Sequence, residues 1–529
     1  MTLKRIILSI LTFIVALEMG ASLISSLGEP QVGNQLQMYQ TDLLVQASEW
    51  DGSGLPDNEV QQFRNAVFGK DALESATEQY QEVRKDSATG LMKLQRQQKA
   101  SPETSSENQQ RAATARTQQQ LIDQIDLRLG MVQAQQGEVP KAIETWQRVA
   151  TRTGDSAVVA EVLADLWQTP PVVRSRAAII LNDKLRGWYR YHALERLYTV
   201  EGNDELLNDL QVAETSLAEK TLIQLSIVGL LPSFGGLLGT ALLIALVAQR
   251  VLRGKEKASI LTVSEGQWEV PWDWEVVWQV IVGGFLFVGQ IVLPLVLQLG
   301  LAAGRIMPLT PDLATVNAGW IGGSGWIGAG WVLALTSRGK ALYSLVFYLL
   351  MAASTLGVLY VSIKAYLPLS KEWFSARLSG RWPLWGLGSY LVALPLMLAV
   401  SLLNQQIWQG QGGNNPILQI VLEERDPVAL GMFFFTAAIA APVFEEILFR
   451  GFLLPSLTRY LPTWGAIGLS SLIFSAAHLS FSEVLPLTVL GAILGFAYVR
   501  SRNLMSSILL HSTWNSVTMI GLFLLGSGG

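Results

Sequence analysis

Ala440–Gly451 reads AAPVFEEILFRG, placing two adjacent glutamates, Glu445 and Glu446, and an arginine, Arg450, inside an otherwise apolar run. Downstream, IFSAAHLS at Ile473–Ser480 and ILLHSTWNS at Ile508–Ser516 each hold one of the chain's 3 histidines, His478 and His511. An ionisable group at membrane depth costs about 3 kcal/mol or more, so this concentration of charge needs a function, and a buried active site supplies one. Helical spacing sorts the groups. Glu446 and Arg450 share a face and can pair, which leaves Glu445 rotated by about 100° and free for other work. His511 and Asn515 also share a helix face, as do Phe474 and His478. Three helices facing one another at these polar spots could hold a water, a metal or a carbonyl. Each motif alone also suits a structural ion pair or a hydrogen-bonded core histidine; together they point to a site.

These residues resemble the CPBP (CAAX protease and bacteriocin-processing) intramembrane proteases, the family that includes the type II CAAX prenyl endopeptidases. The family pattern is Glu-Glu-x-x-x-Arg, Phe-x-x-x-His and His-x-x-x-Asn on successive transmembrane helices. It is met in order by Glu445, Glu446 and Arg450, then Phe474 and His478, then His511 and Asn515. The resemblance is clearest from Leu430 onward and does not reach the chain before Ala218. It implies an intramembrane metalloendopeptidase in which Glu445 and His478 hold and activate a water. His511 and Asn515 would stabilise the oxyanion, and Glu446 would be held by Arg450 or join the polar cluster. A carboxylate in an apolar site suits a general base, and fixed donors aimed at developing negative charge are usually the largest catalytic term. Two glutamates and two histidines could also bind zinc or another divalent metal, with Glu445, His478 and His511 as the ligands where one is present. The His-Glu-x-x-His helix of zincins is absent. A prenylated substrate is not implied, because the family extends far beyond CAAX processing.

Composition bounds the rest. With 529 residues, 50% hydrophobic and 15% charged, the chain is too apolar for a soluble protein and too mixed for membrane helices alone, so two regions of different solvent are expected. A net charge of -4 carries no sign of a nucleic-acid partner. The cysteine count of 0 excludes disulfides, thiolate metal sites and a cysteine nucleophile.

Residues 1–27 open with Lys4 and Arg5 and continue as an apolar run, which reads as a retained signal anchor more readily than a cleaved signal peptide. Residues 28–220 turn polar, Gln-rich and helix-forming, and read as an extramembrane all-helical domain able to bind protein partners. Exposed helices are expected over 59–98 and 110–135, with a disordered-looking stretch over 99–109. Within it, LRLGMVQAQQGEVPKAIETWQRVA at Leu127–Ala150 resembles a helix junction of a tetratricopeptide repeat, with Gly137 at the turn and Trp146 as the aromatic. His192 reads as structural.

The remainder is an all-α polytopic bundle in the lipid bilayer, residues 221–427 as membrane helices and 428–526 as the catalytic membrane domain. Spans are expected at 222–251, 276–301, 342–363, 384–403, 430–449, 465–479, 484–499 and 504–525, which with the N-terminal one make a multi-pass integral membrane protein of about nine spans. Pro232 and Gly235-Gly236 suggest a bent lead-in to the first, and Trp320–Leu335 a Gly-rich re-entrant piece. Trp268, Trp272, Trp274 and Trp278 crowd Pro271, the pattern of a helix entering the headgroup region. Nearly all the basic loops fall on one side of a nine-span topology, which assigns them to the cytoplasm; Arg338 and Lys340 are the exception. With these limits Glu445 falls near one end of its span, so its helix must run on to about Thr458 for the glutamates to lie at mid-membrane.

The sequence thus favours an intramembrane endopeptidase acting on a membrane-associated protein substrate. The alternative is a non-catalytic membrane scaffold or chaperone whose helical domain binds proteins; a proton-coupled transporter is a third reading, lacking internal repeats to support it.

Overall fold

The computed structural model describes residues 2–27, 33–50, 56, 58, 71–100, 106–253, 260–263, 268–302, 336–408, 412–413 and 416–527, and every element among them is helical. The chain divides into two units, Met1–Glu29 with Pro232–Ile520, and Pro30–Leu231 with Gly521–Gly529.

The second unit carries the Gln-rich helices. Its framework is the antiparallel set Ala72–Ala100, Ser106–Gln135, Val139–Ala150 and Asp155–Trp167. The first of these starts at Asp71, whose carboxylate accepts from the Leu73 amide at 2.8 Å and so satisfies an otherwise orphaned donor. Residues 59–70 of the expected helix lie outside the described residues. The stretch expected to be disordered is helical up to Ala100 and again from Ser106, with 101–105 outside the described residues. Glu, Gln, Arg and Ala lose little rotamer freedom in a helix, so the polar residues at the two edges of this stretch extend the flanking helices. Leu127–Ala150 forms the helix pair its pattern requires. Trp146 is buried at its centre, donating Nε1 to Leu127 O at 3.2 Å and packing on Trp167 at 5.3 Å. His192 is structural as expected, buried between Glu195 at 2.9 Å and Glu49 at 3.3 Å. Burial pushes its pKa down, but the two carboxylates outweigh burial and hold it above the ordinary imidazole value.

The first unit is the membrane bundle. Among the described residues eight helical runs are long and apolar enough to cross a bilayer, and Thr463–Ala476 is a further apolar helix of 14 residues, too short to cross alone. Each of the nine expected spans is carried by a helix, but that of 465–479 ends at Ala476 and leaves eight long enough to cross; the protein is a multi-pass integral membrane protein. Loops expected on one side converge at one end of this unit. There Arg5 pairs with Glu275 at 2.6 Å, Arg502 with Glu372 at 3.3 Å, and the Leu504 amide donates to Ser375 O at 2.7 Å. Arg338, the exception to the charge pattern, sits at the other end, paired with Asp426 at 2.6 Å.

Two expectations gain detail. The Pro232 and Gly235-Gly236 region stands at the start of one helix, Leu231–Arg253, directly after a π-helical turn at Ser226–Leu230. Gly235 and Gly239 serve close approach, since a Cβ on the first would meet Leu394 Cδ1 at 2.7 Å and one on the second would run into Leu391 O, both of the neighbouring Trp382–Trp408 helix. The tryptophan cluster is also only partly interfacial. Trp272 and Trp268 are buried, the former donating to Ser456 Oγ at 2.9 Å and the latter stacked on Tyr498 at 5.7 Å, while Trp274 stays exposed under Arg5. An indole fills a core when its N–H finds a partner there, as that of Trp272 does. The Gly-rich piece Trp320–Leu335 lies outside the described residues.

Candidate active site

Lipid tails are as apolar as leucine, so helices in a bilayer hold together by close van der Waals approach and by interhelical hydrogen bonds. Both operate around the glutamates. Pro427–Leu457 is one helical run, which carries Glu445 and Glu446 well inside it, as the extension to about Thr458 required. Two stretches of the run, Thr436–Ala440 and Glu446–Leu453, are wound as wider π-helical turns. Such turns concentrate at functional sites because they leave backbone groups unclaimed. Pro442 has no N–H to offer the turn before it, and Ala437 O accepts instead from Asn515 Nδ2 at 2.7 Å. A proline in one helix thereby docks the last helix, Leu504–Ser527, onto it.

Glu446 is the centre of a buried chain. Its Oε1 accepts from Arg450 at 2.7 Å and from His511 Nδ1 at 2.9 Å, and the three residues are 0%, 1% and 4% exposed respectively. The glutamate therefore does both things expected of it, pairing with Arg450 and joining the cluster. Arg450 also donates to Gly491 O at 3.1 Å and lies 4.6 Å above the Phe474 ring. Gly491 has to be glycine for this: a Cβ there would meet Ser471 Cβ at 2.9 Å and hold the Phe481–Ser501 helix away from the short Thr463–Ala476 helix.

Glu445 faces elsewhere. Its Oε2 lies 3.8 Å from His511 Nε2, and its Oε1 accepts from the Tyr348 hydroxyl at 2.8 Å. Sequence spacing alone leaves this carboxylate free; the structure gives it a partner from the Ser337–Ile363 helix.

His478 stands just past the end of the short helix, where Leu479 turns left-handed at φ 60° and stops it. Its Nδ1 lies 2.9 Å from Phe474 O. A carbonyl only accepts, so Nδ1 bears the proton and Nε2 keeps its lone pair. Phe474 is the shared floor of the cluster, edge-on to His478 at 5.0 Å and to His511 at 6.0 Å. The structure thus joins Glu445, Glu446, Arg450 and His511 directly, brings in His478 through Phe474, and anchors Asn515 on the glutamate helix.

Two polar residues outside the motifs also touch this machinery: Tyr348, and Gln290, whose Nε2 donates to Ala477 O at 3.4 Å beside His478. A lone tyrosine in SLVFYLLMAA reads as core by periodicity, whereas the single amide in GGFLFVGQIV was a detectable signal. The donor set does not fit a zinc site: among the described residues no three of His, Cys, Asp or Glu are arranged to hold a metal. His511 Nδ1 is taken by Glu446, whose charge Arg450 already offsets, and His478 reaches the cluster only across the Phe474 ring, so among the expected ligands His511 Nε2 and Glu445 Oε2 face each other without the third donor that a catalytic zinc takes from protein.

Comparison with known proteins identifies this region. Residues 427–517, which contain all six polar motif residues, match the family model for type II CAAX prenyl endopeptidase Rce1-like proteins. The chain is also similar to the membrane-embedded CAAX protease MroQ of Staphylococcus aureus (strain USA300), 28% identical over 143 residues that make up 26% of this chain and 56% of that protein. The chain thus spans little more than half the length of this curated relative. No solved structure matches it.

Proposed function

We propose that the protein is an intramembrane endopeptidase that hydrolyses peptide bonds of membrane-associated proteins with a water activated by Glu445 and His478. The observation that carries this reading is the buried chain Arg450, Glu446, His511 with Glu445 facing its far end. An ion pair needed only for stability would have no use for a second carboxylate, aimed at the one ring nitrogen the chain leaves over. The position of His478, with its basic nitrogen left open, supports the same reading.

The residues divide the chemistry as follows. A water held between Glu445 and His478 Nε2 gives a proton to the Glu445 carboxylate as its oxygen adds to the scissile carbonyl carbon. The carbonyl oxygen takes up the negative charge, facing the second amide hydrogen of Asn515 and His511 Nε2, which donates there when the ring, held between the Glu446 and Glu445 carboxylates, is the imidazolium. Collapse of the tetrahedral intermediate breaks the C–N bond, and the departing amine takes the proton from Glu445. Arg450 holds Glu446, and Glu446 fixes the ring of His511, so these two act on orientation rather than on the reacting atoms. No step is routed through a metal.

The test compares membrane proteomes carrying the wild type or Glu445→Gln at equal levels, reading new N termini by mass spectrometry. The amide keeps size and hydrogen bonding but loses basicity, so cleavage should fall by about 10²-fold or more while accumulation stays normal. If the variant fully restores a deletion strain and no protein accumulates uncut, the protease reading gives way to the membrane scaffold.

A further inference from the structure

We propose that Tyr348, from a helix outside the matched region, is a positioning residue that fixes the Glu445 carboxylate for its reaction. This rests on the reading of Glu445 as the base, and it extends the site beyond the three motif helices. The Tyr348 hydroxyl lies 2.8 Å from Glu445 Oε1. An ionised carboxylate only accepts, so the phenol is the donor.

The geometry decides which oxygen works. A glutamate side chain has three torsions, and Glu445, with its side chain 14% exposed, is not pinned by burial as Glu446 is at 0%. With Oε1 tied to Tyr348, the other oxygen, Oε2, is the one turned to His511 Nε2 at 3.8 Å, where the reacting groups gather. Without that tie the carboxylate is free to rotate about its last torsion and exchange its two oxygens. A base must be held within hydrogen-bond reach of the proton it abstracts, so lost orientation is lost rate. Tyr348 is itself oriented from both sides. Its ring stands edge-on to Phe444, the residue before Glu445, at 5.9 Å and 83°, and its own helix packs against the Pro427–Phe435 segment of the glutamate run. The helix that precedes the matched region thus contributes to the site as well as to the membrane anchor.

Tyr348→Phe removes the hydroxyl and keeps the ring contact with Phe444. Two readouts test the proposal on the purified full chain. In the first, protein labelled with 13C-glutamate gives the Glu445 carboxylate stretching band as the infrared difference between wild type and Glu445→Gln. Loss of the phenol donor should displace that band, which a purely packing role for Tyr348 would leave in place. In the second, a quenched fluorescent peptide spanning the cleavage site found in the proteome comparison should show kcat lower by roughly ten-fold or more with KM unchanged. An unmoved band in Tyr348→Phe overturns the proposal whatever the activity does. A displaced band with wild-type kcat overturns it too, since the contact would then not serve the reaction. An inactive wild type with a displaced band instead removes the protease reading and leaves the contact as a structural one, so the two failures are told apart.

Discussion

Arg450→Ala is the sharpest test of how the site is held together. The substitution removes a guanidinium that is 1% exposed, its 2.7 Å bond to Glu446, its 3.1 Å bond to Gly491 O and its place 4.6 Å above Phe474. Removing one partner of a buried pair costs about 3 to 5 kcal/mol, because the other charge is left uncompensated. Loss of the cation over the ring adds about 1 kcal/mol. His511 Nδ1 still reaches Glu446 at 2.9 Å, so the carboxylate is not bare and the lower end applies. We therefore expect about 4 kcal/mol, or roughly 10³-fold in the folding equilibrium. The assay is unfolding of the purified protein in mixed micelles followed by circular dichroism. The control is the double variant Glu446→Gln with Arg450→Met, which removes both charges at similar volume. Replacing a whole buried pair by neutral groups is often neutral, so this variant should lie within about 1 kcal/mol of wild type. The amide carbonyl that takes the place of the Glu446 carboxylate can still accept from His511. An Arg450→Ala protein as stable as wild type, or a double variant as damaged as the single one, would refute the account of Glu446 as a buried charge kept by its partners.

Two further outcomes are expected. In the helical unit the pKa of His192 is raised, since burial lowers it but Glu195 and Glu49 outweigh burial. Its contribution is therefore complete below the unfolded value of about 6.5 and is lost as pH rises through the higher folded value. The Gly187–Glu201 helix should therefore be better protected from hydrogen exchange, corrected for intrinsic rate, at pH 6 than at pH 8. His192→Gln should shrink that difference, and a protection profile flat in pH in the wild type would contradict the assignment. At Gly491 the added methyl groups of Val would strike Ser471, whose Cβ is 2.9 Å from an ideal Cβ on the glycine. Gly491→Val should cost about 1 to 3 kcal/mol and lower activity along with stability, whereas a variant that melts like wild type would show that the two helices can part freely.

The sequence and the structure agree where one physical signal dominates and part where two compete. Charge inside an apolar run is a strong signal: Glu445, Glu446, Arg450 and His511 meet, His478 joins them across Phe474, Asn515 docks on the glutamate helix, and even the extension of that helix was readable from the requirement that its carboxylates sit at mid-membrane. Glycine and tryptophan carry weaker signals, because each has two uses. Gly235 suits a bend in its helix and also lets two helices touch, and Trp272 could have met headgroups but fills a core with its N–H on Ser456. Polar composition at the edges of 99–109 was equally ambiguous, since residues 99–100 and 106–109 belong to the flanking helices. What no local pattern could reveal was the relation between distant helices. His511 pairs with Glu446 rather than simply facing a substrate, and Tyr348 reaches Glu445 across 97 residues of sequence. Spacing rules report which groups share a face of one helix. They are silent on which faces meet, and that silence falls on the contacts that set Glu445 apart from Glu446, its neighbour in the chain.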